Sequence, residues 1–327
     1  MTPPPVLLDC DPGIDDTLAL IYLAGLHIRG DIRLVGVTTT AGNTTTRRTA
    51  INAAWVLERC GVTDVPVAVG RAEPLKVALT TTPETHGEHG MGHLAPTAEQ
   101  DVDTDWETLW DEAYAEHGEE LQLIVTGPCT NLAAWLGERH QTTAAFGSVT
   151  IMGGAVLYQG NTTPTAEWNF WVDPDAAKDV FAQAGPELPI TLASLNVTEQ
   201  MLLDPPGLET LIAALDNVPI AADLPEILRF YFEFHEATGA GYQAQIHDLL
   251  TCMIALNTVA HRTTETTVDV EADSELTRGT SIADHRGHWK RPANAHLVTE
   301  ADIPAAWSEF PRRRPHTGPG VGGALRL

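Results

Sequence analysis

Short apolar runs alternate with stretches of helical spacing through the first two-thirds of the chain, and this alternation constrains the fold more than any other feature. Residues 6–9, 34–38, 65–69, 121–125, 149–152 and 190–194 read as buried strands. Between them, 15–26 repeats Leu18, Ile21, Tyr22 and Gly25 on one helical face, and 45–60 and the stretch through Trp135 read as further helices. Asp173-Pro174 is an N-cap followed by proline at the first helical position, so a helix is predicted from there to Ala184. Strands separated by helices join in parallel, because a parallel connection has to cross the sheet. The expected fold is therefore α/β: one domain over 1–327 with an open, mostly parallel central sheet and helices on both faces. Residues 86–96 read as a loop, 223–262 as helical, and 312–327 as a loose tail.

The 327 residues are 43% apolar, enough for a large core. A formal net charge of −25 repels a polyphosphate backbone, which argues against nucleic acid as a partner. Cys10, Cys60, Cys129 and Cys252 form no Cys-x-x-Cys pair, as expected of reduced thiols in a cytoplasmic protein. Residues 1–5 lack the basic and apolar regions of a signal peptide, and no apolar run approaches the roughly 20 residues that span a bilayer.

Polar residues follow strand after strand: Asp9 and Asp11, Asn43, Thr126, and Asn161 beyond the fifth strand and its loop. In open α/β sheets ligands bind outside the carboxyl ends of strands, so these segments point at one region. The first is the densest. Asp9-Cys10-Asp11-Pro12-Gly13-Ile14-Asp15-Asp16 places four carboxylates in eight residues on a strand-to-helix turn. Alternation puts Asp9 and Asp11 on one strand face, and Pro12-Gly13 lets Asp15 and Asp16 return towards them. Carboxylates this close repel one another, and a cation lets all of them stay charged. Oxygen-only ligands favour calcium or magnesium. An EF-hand is excluded, because its sixth and twelfth positions would be Ile14 and Leu20. An aspartyl-nucleophile phosphatase is disfavoured by Gly13 where threonine is usual.

This octapeptide resembles the N-terminal signature of the inosine-uridine-preferring nucleoside hydrolases. Further blocks follow in that family's order: Gly42-Asn43, then His86-Gly87-Glu88-His89-Gly90-Met91-Gly92 with His89 in place of serine, then Thr126-Gly127-Pro128-Cys129-Thr130-Asn131. Met152-Gly153-Gly154, Gly160-Asn161, Ala166-Glu167-Trp168-Asn169 and His247-Asp248 complete the set. The resemblance spans about residues 6–285. It implies a nucleoside hydrolase-like fold, a homodimer or homotetramer, and calcium-dependent hydrolysis of ribonucleosides to free base and ribose.

Carried over residue by residue, the resemblance makes Asp11, Asp16, the Thr126 carbonyl and Asp248 the calcium ligands. Open coordination positions would then suit a water and the 2′,3′-diol of ribose. Asp15, Asn161, Glu167 and Asn169 would hold ribose hydroxyls, with Asn43 nearby. Asp11 would be the general base for a water activated by the cation, and His247 the acid for the leaving base. His86 would meet the base from the loop, and Met152 and Trp168 would pack on the substrate. Tyr231 and His235 occupy the region where relatives often carry two tyrosines over the base, so His235 is a departure. Two rival functions remain: phosphorolysis, for which Arg47 and Arg48 would be phosphate ligands rather than a solvated helix face, and binding of calcium and ribose without catalysis. A metal site on His86, His89 and His93 is the alternative to a glycine-rich lid in that loop.

Overall fold

The computed structural model describes residues 2–215 and 217–313. Its strands are β1 (Pro5–Cys10), β2 (Arg33–Thr39), β3 (Val67–Val69), β4 (Thr104–Asp105), β5 (Gln122–Val125), β6 (Ser148–Met152), β7 (Ile190–Ala193), β8 (Leu202–Leu203), β9 (Ala244–Gln245), β10 (His261–Thr266), β11 (Val268–Val270), β12 (Ser281–Ala283) and β13 (Ala295–Ala301). Its α-helices are α1 (Ile14–Arg29), α2 (Thr46–Arg59), α3 (Pro83–His86), α4 (Trp106–His117), α5 (Thr130–Arg139), α6 (Trp168–Val172), α7 (Pro174–Gln183), α8 (Leu195–Thr198), α9 (Pro205–Ala214), α10 (Leu224–Ala237), α11 (His247–Ala255) and α12 (Ile303–Arg313).

Nine strands make one sheet in the order β10-β13-β7-β6-β5-β1-β2-β3-β4. All neighbours are parallel except the edge pair β10 and β13. Every residue of β1 is buried, as a central parallel strand covered on both faces requires. Its side chains alternate between two cores: Val6, Leu8 and Cys10 pack with α1, α2 and α11, whereas Leu7 packs with α4, α5 and α7. The α/β fold with helices on both faces is as expected. Asp173 caps α7 by accepting from Ala176 N at 3.0 Å.

Residues 223–262 are not one helical stretch. α10 ends at Ala237, where Gly239 and Gly241 take left-handed backbone (φ 87° and 90°). The chain then forms β9 before α11 begins at His247, and β10 starts at His261. The expected tail at 312–327 falls mostly outside the described residues, and Arg312 and Arg313 belong to α12. The four cysteines are buried and unbonded to one another. Among the described residues no helix is long and apolar enough to cross a membrane.

Candidate active site

The chain leaves the middle of the sheet at β1, builds outward through β2, β3 and β4, and restarts at β5 on the other side of β1. The strand order reverses there, so the connections after β1 and β5 diverge and leave a crevice at the strands' carboxyl ends. Asp11 follows β1 and Thr126 follows β5. A cleft opens at this point, with Asp11 and Thr126 both in its lining. Every residue to which the resemblance gave a metal, catalytic or substrate role lines it except Asp16, which accepts a hydrogen bond from the lining residue Thr126 at 3.1 Å.

Carboxylate oxygens of Asp15, Asp16 and Asp248 lie within 4.8 Å of one another, all three residues buried. Asp15 and Asp248 are in side-chain hydrogen-bond contact, which two carboxyl groups sustain only by sharing a proton or a cation. Burial, then the charge of Asp15, raises Asp16 to about 7. Burial raises Asp15 to about 6. Asp248 goes well above the carboxylate range through burial and then through Asp15 and Asp16. A divalent cation fits this set, because the donors are all oxygen and the acids resist charging without one. Asp16 is further fixed by Gly13 N at 2.9 Å and Thr126 Oγ1 at 3.1 Å.

Asp11 stands beside this group. Its Oδ2 accepts from Asn43 N at 2.7 Å, and Asn43 Nδ2 returns to the Asp11 carbonyl at 3.0 Å. Burial and then Asp16 raise its carboxyl strongly. The approach depends on Gly42, where an added Cβ would sit 2.1 Å from Asp11 Oδ2. Asp9 differs from the sequence reading: it turns into the sheet interior. It accepts from Thr38 Oγ1 at 2.7 Å and Asn131 Nδ2 at 2.8 Å, and burial raises it to about 7.

One wall of the cleft is polar. Glu167 caps α6, accepting from Asn169 N and Gly154 N, each at 2.8 Å, and burial raises it to about 7. Asn169 Nδ2 donates to the Thr126 carbonyl at 2.7 Å and the Met152 carbonyl at 3.3 Å. Asn161 Oδ1 accepts from Trp168 N at 3.1 Å, while the Trp168 ring stacks on Trp171 and its buried Nε1–H has no partner.

Another part of the lining is aromatic. Tyr231 and His235 lie one turn apart on α10 with ring centroids at 4.4 Å, and His86 reaches Tyr231 at 5.3 Å. His86 Nδ1 accepts from Ile14 N at 3.1 Å, so that nitrogen is unprotonated. His247 Nδ1 lies 3.0 Å from Thr198 Oγ1. Burial lowers both His86 and His247 to about 3, so both rings are neutral.

The three-histidine site does not form. His86 points at Ile14, His93 pairs with Glu233 on the surface, and among the described residues only the aspartates group as metal ligands. Arg47 pairs with Asp103, and Arg48 donates to the Pro96 carbonyl, both away from the cleft. Thr82, Thr85, Thr162, Phe234 and Gln245 also line the cleft and are not among the candidates read from the sequence. Phe234 carried a signal, three residues after Tyr231 on a helix; Gln245, two residues before His247, carried none.

Residues 6–308 match the model of a family described as inosine-uridine preferring nucleoside hydrolase. The chain is 36% identical to the pyrimidine-specific ribonucleoside hydrolase RihA of Shewanella sp. (strain MR-7), over 91% of this chain and 92% of that one. Among solved structures, a purine-preferring ribonucleoside hydrolase from Gardnerella vaginalis superposes with a TM-score of 0.84 at 27% identity, covering 94% of this chain and 97% of that one. A plant nucleoside hydrolase superposes with a TM-score of 0.85 at 25% identity, covering 96% and 100%.

Proposed function

The chain belongs to the inosine-uridine preferring nucleoside hydrolase family and is a ribonucleoside hydrolase, and from that premise we propose that it is calcium-dependent and acts first on pyrimidine ribonucleosides, releasing free base and ribose. The pyrimidine preference is proposed from the 36% identical relatives that are named for it. The observation that carries the reading is one cleft lined both by members of a buried acid cluster and by aromatic side chains, which suit a sugar diol and a flat base.

Asp11, Asp16, Asp248 and the Thr126 carbonyl are the proposed cation ligands. A bound calcium ion would act as a Lewis acid on oxygen and offer open positions to water and the ribose diol. Asp11, with its proton affinity raised by burial, takes the proton of the attacking water. Asp15, Asn161, Glu167 and Asn169 hold ribose hydroxyls, and the carboxylates among them oppose the positive charge that develops on the sugar. Asn43 holds Asp11 in place. His86, Met152, Trp168, Tyr231 and His235 enclose the base and the sugar edge. His247 is a neutral ring, so it serves as a hydrogen-bond donor rather than an imidazolium acid. In this reading the Thr198 hydroxyl gives its proton to His247 Nδ1, 3.0 Å away, in preference to the Ser194 carbonyl at 3.4 Å, and Nε2–H is left for the departing base.

A substrate panel tests this reading. Uridine, cytidine, inosine and adenosine are incubated with chelator, with added calcium and with phosphate, and reducing sugar is measured. Uridine and cytidine should turn over fastest, stop with chelator, recover with calcium and ignore phosphate. A phosphate requirement would establish a phosphorylase, and chelator-resistant turnover would remove the cation from the chemistry.

A further inference from the structure

We propose that Asn52 is a positioning residue for the reaction: its buried side-chain amide pins the loop 87–92 to the Asp11-Pro12-Gly13 turn and thereby sets the His86 ring that lines the cleft. The proposal rests on the reading of the cleft as a ribonucleoside site.

Asn52 lies on α2 and is fully buried. Its Nδ2 donates to the Pro12 carbonyl at 3.0 Å and to the His89 carbonyl at 2.8 Å. A carbonyl only accepts, so the NH₂ faces both partners and the amide has one orientation. Its Oδ1 is buried with no partner among the described residues, so the polar contribution of this side chain is made entirely through Nδ2. The first carbonyl belongs to the turn between Asp11 and the start of α1, and the second to the loop that follows His86. Each amide hydrogen thus holds a different segment of the cleft's surroundings. The loop is gripped by its backbone, so histidine at 89 in place of serine leaves the bond intact.

His86 is where the pin acts. Its Nδ1 accepts from Ile14 N at 3.1 Å, directly after the turn, and a Cβ added to Gly13 would lie 2.5 Å from that nitrogen. The ring therefore rests on the same turn that Asn52 ties to the loop. With Nδ1 accepting, the neutral ring keeps its proton on Nε2, and His86 is part of the cleft lining. Gly92 N closes the loop by donating to the His86 carbonyl at 2.8 Å, and Met91 is buried in the core. Loss of the Asn52 amide leaves the Met91 anchor in place, so the loop shifts on the turn rather than unfolding the chain. Substrate binding must then draw the loop back, which raises KM and leaves kcat at saturation little changed.

The test uses Asn52→Leu, close in shape and without donors, in a double-mutant cycle with His86→Ala. Values of kcat and KM are measured on the best substrate among uridine, cytidine and inosine, and amide hydrogen exchange is followed at Ile14 and over 87–92. Asn52→Leu should lower kcat/KM by about tenfold or more, the scale of the two neutral hydrogen bonds removed, and mostly through KM. In the His86→Ala background the same change should cost less than about twofold, because residues that act through one another are not additive. Exchange at the Ile14 amide should quicken by about tenfold or more while β1 and β5 stay protected. Losses that multiply across the cycle, or unchanged exchange at Ile14, would overturn the proposal, since either leaves Asn52 a purely structural residue. Should Asn52→Leu fold poorly, Asn52→Ala is read by the same criteria. Failure of wild type to cleave any ribonucleoside would strike at the functional reading, and the exchange result would still decide whether the pin exists.

Discussion

His247 is buried, neutral and paired through Nδ1 with Thr198, and the role proposed for it is confined to the leaving base. His247→Ala should lower kcat on uridine by about 10²–10⁴-fold, the range for a positioned proton donor. The same change should matter far less on 4-nitrophenyl riboside, whose leaving group departs without a proton. Equal losses on both would place His247 in binding or structure. Gly42→Ala should resemble loss of Asp11, because the new methyl group occupies the space of Asp11 Oδ2. A fall in kcat with an unchanged melting curve is the expected signature. At this scale most of the cleft's lining was legible, because ordered blocks such as Glu167-Trp168-Asn169 name their own residues. Asp9 was not. In the motif it looks like its three neighbours, and nothing local announces that Thr38 and Asn131 wait beneath it to bind its carboxylate.

Asp173 ties three elements together, which its N-cap motif only partly foretold. It caps α7, accepts from Thr130 Oγ1 of α5 at 2.7 Å, and accepts from Leu75 N at 2.9 Å in the loop after β3. It is fully buried, so Asp173→Ala strands two further donors as well as the cap. A cap alone is worth about 1 kcal/mol. With the stranded donors the loss should reach about 2–4 kcal/mol, read as a lower urea midpoint at unchanged slope. A loss under about 1 kcal/mol would show that water replaces the buried carboxylate. The parallel strands β1, β2, β3, β5, β6 and β7 were legible because they are apolar runs buried in the sheet, whereas β4 is two exposed residues and was not. β10 and β13 were not, since the exposed edge strand His261–Thr266 is almost wholly polar and lacks the pattern of a buried strand. The helix α4 carries helical spacing in Trp106, Leu109, Trp110 and Ala113, but no element was expected over residues 97–120.

The whole molecule concentrates buried acids at the sheet's centre, and this sets how its stability depends on pH. Burial first of all raises Asp9, Asp16 and Glu167 to about 7 and Asp15 to about 6, from ordinary values of 3.8 for aspartate and 4.5 for glutamate. Without a cation, the folded chain therefore holds more protons than the unfolded chain between about pH 4 and pH 7. Stability from these groups is full below the unfolded values and is lost as pH rises through the folded ones. In chelator the melting temperature should fall between about pH 5 and pH 8. A divalent cation acts in the opposite sense. It binds the folded acids in place of protons, so its stabilisation grows as protons leave. Melting curves with calcium and with chelator should nearly coincide at about pH 5 and separate by several degrees at about pH 8. Asp248→Asn should close most of that gap, because it removes one of the three grouped carboxylates. Some downward slope should persist even with calcium, since Asp9 is committed to Thr38 and Asn131 and gains nothing from the ion. If the two curves coincide at every pH, the acids are held by protons alone and the cation has no place in the fold.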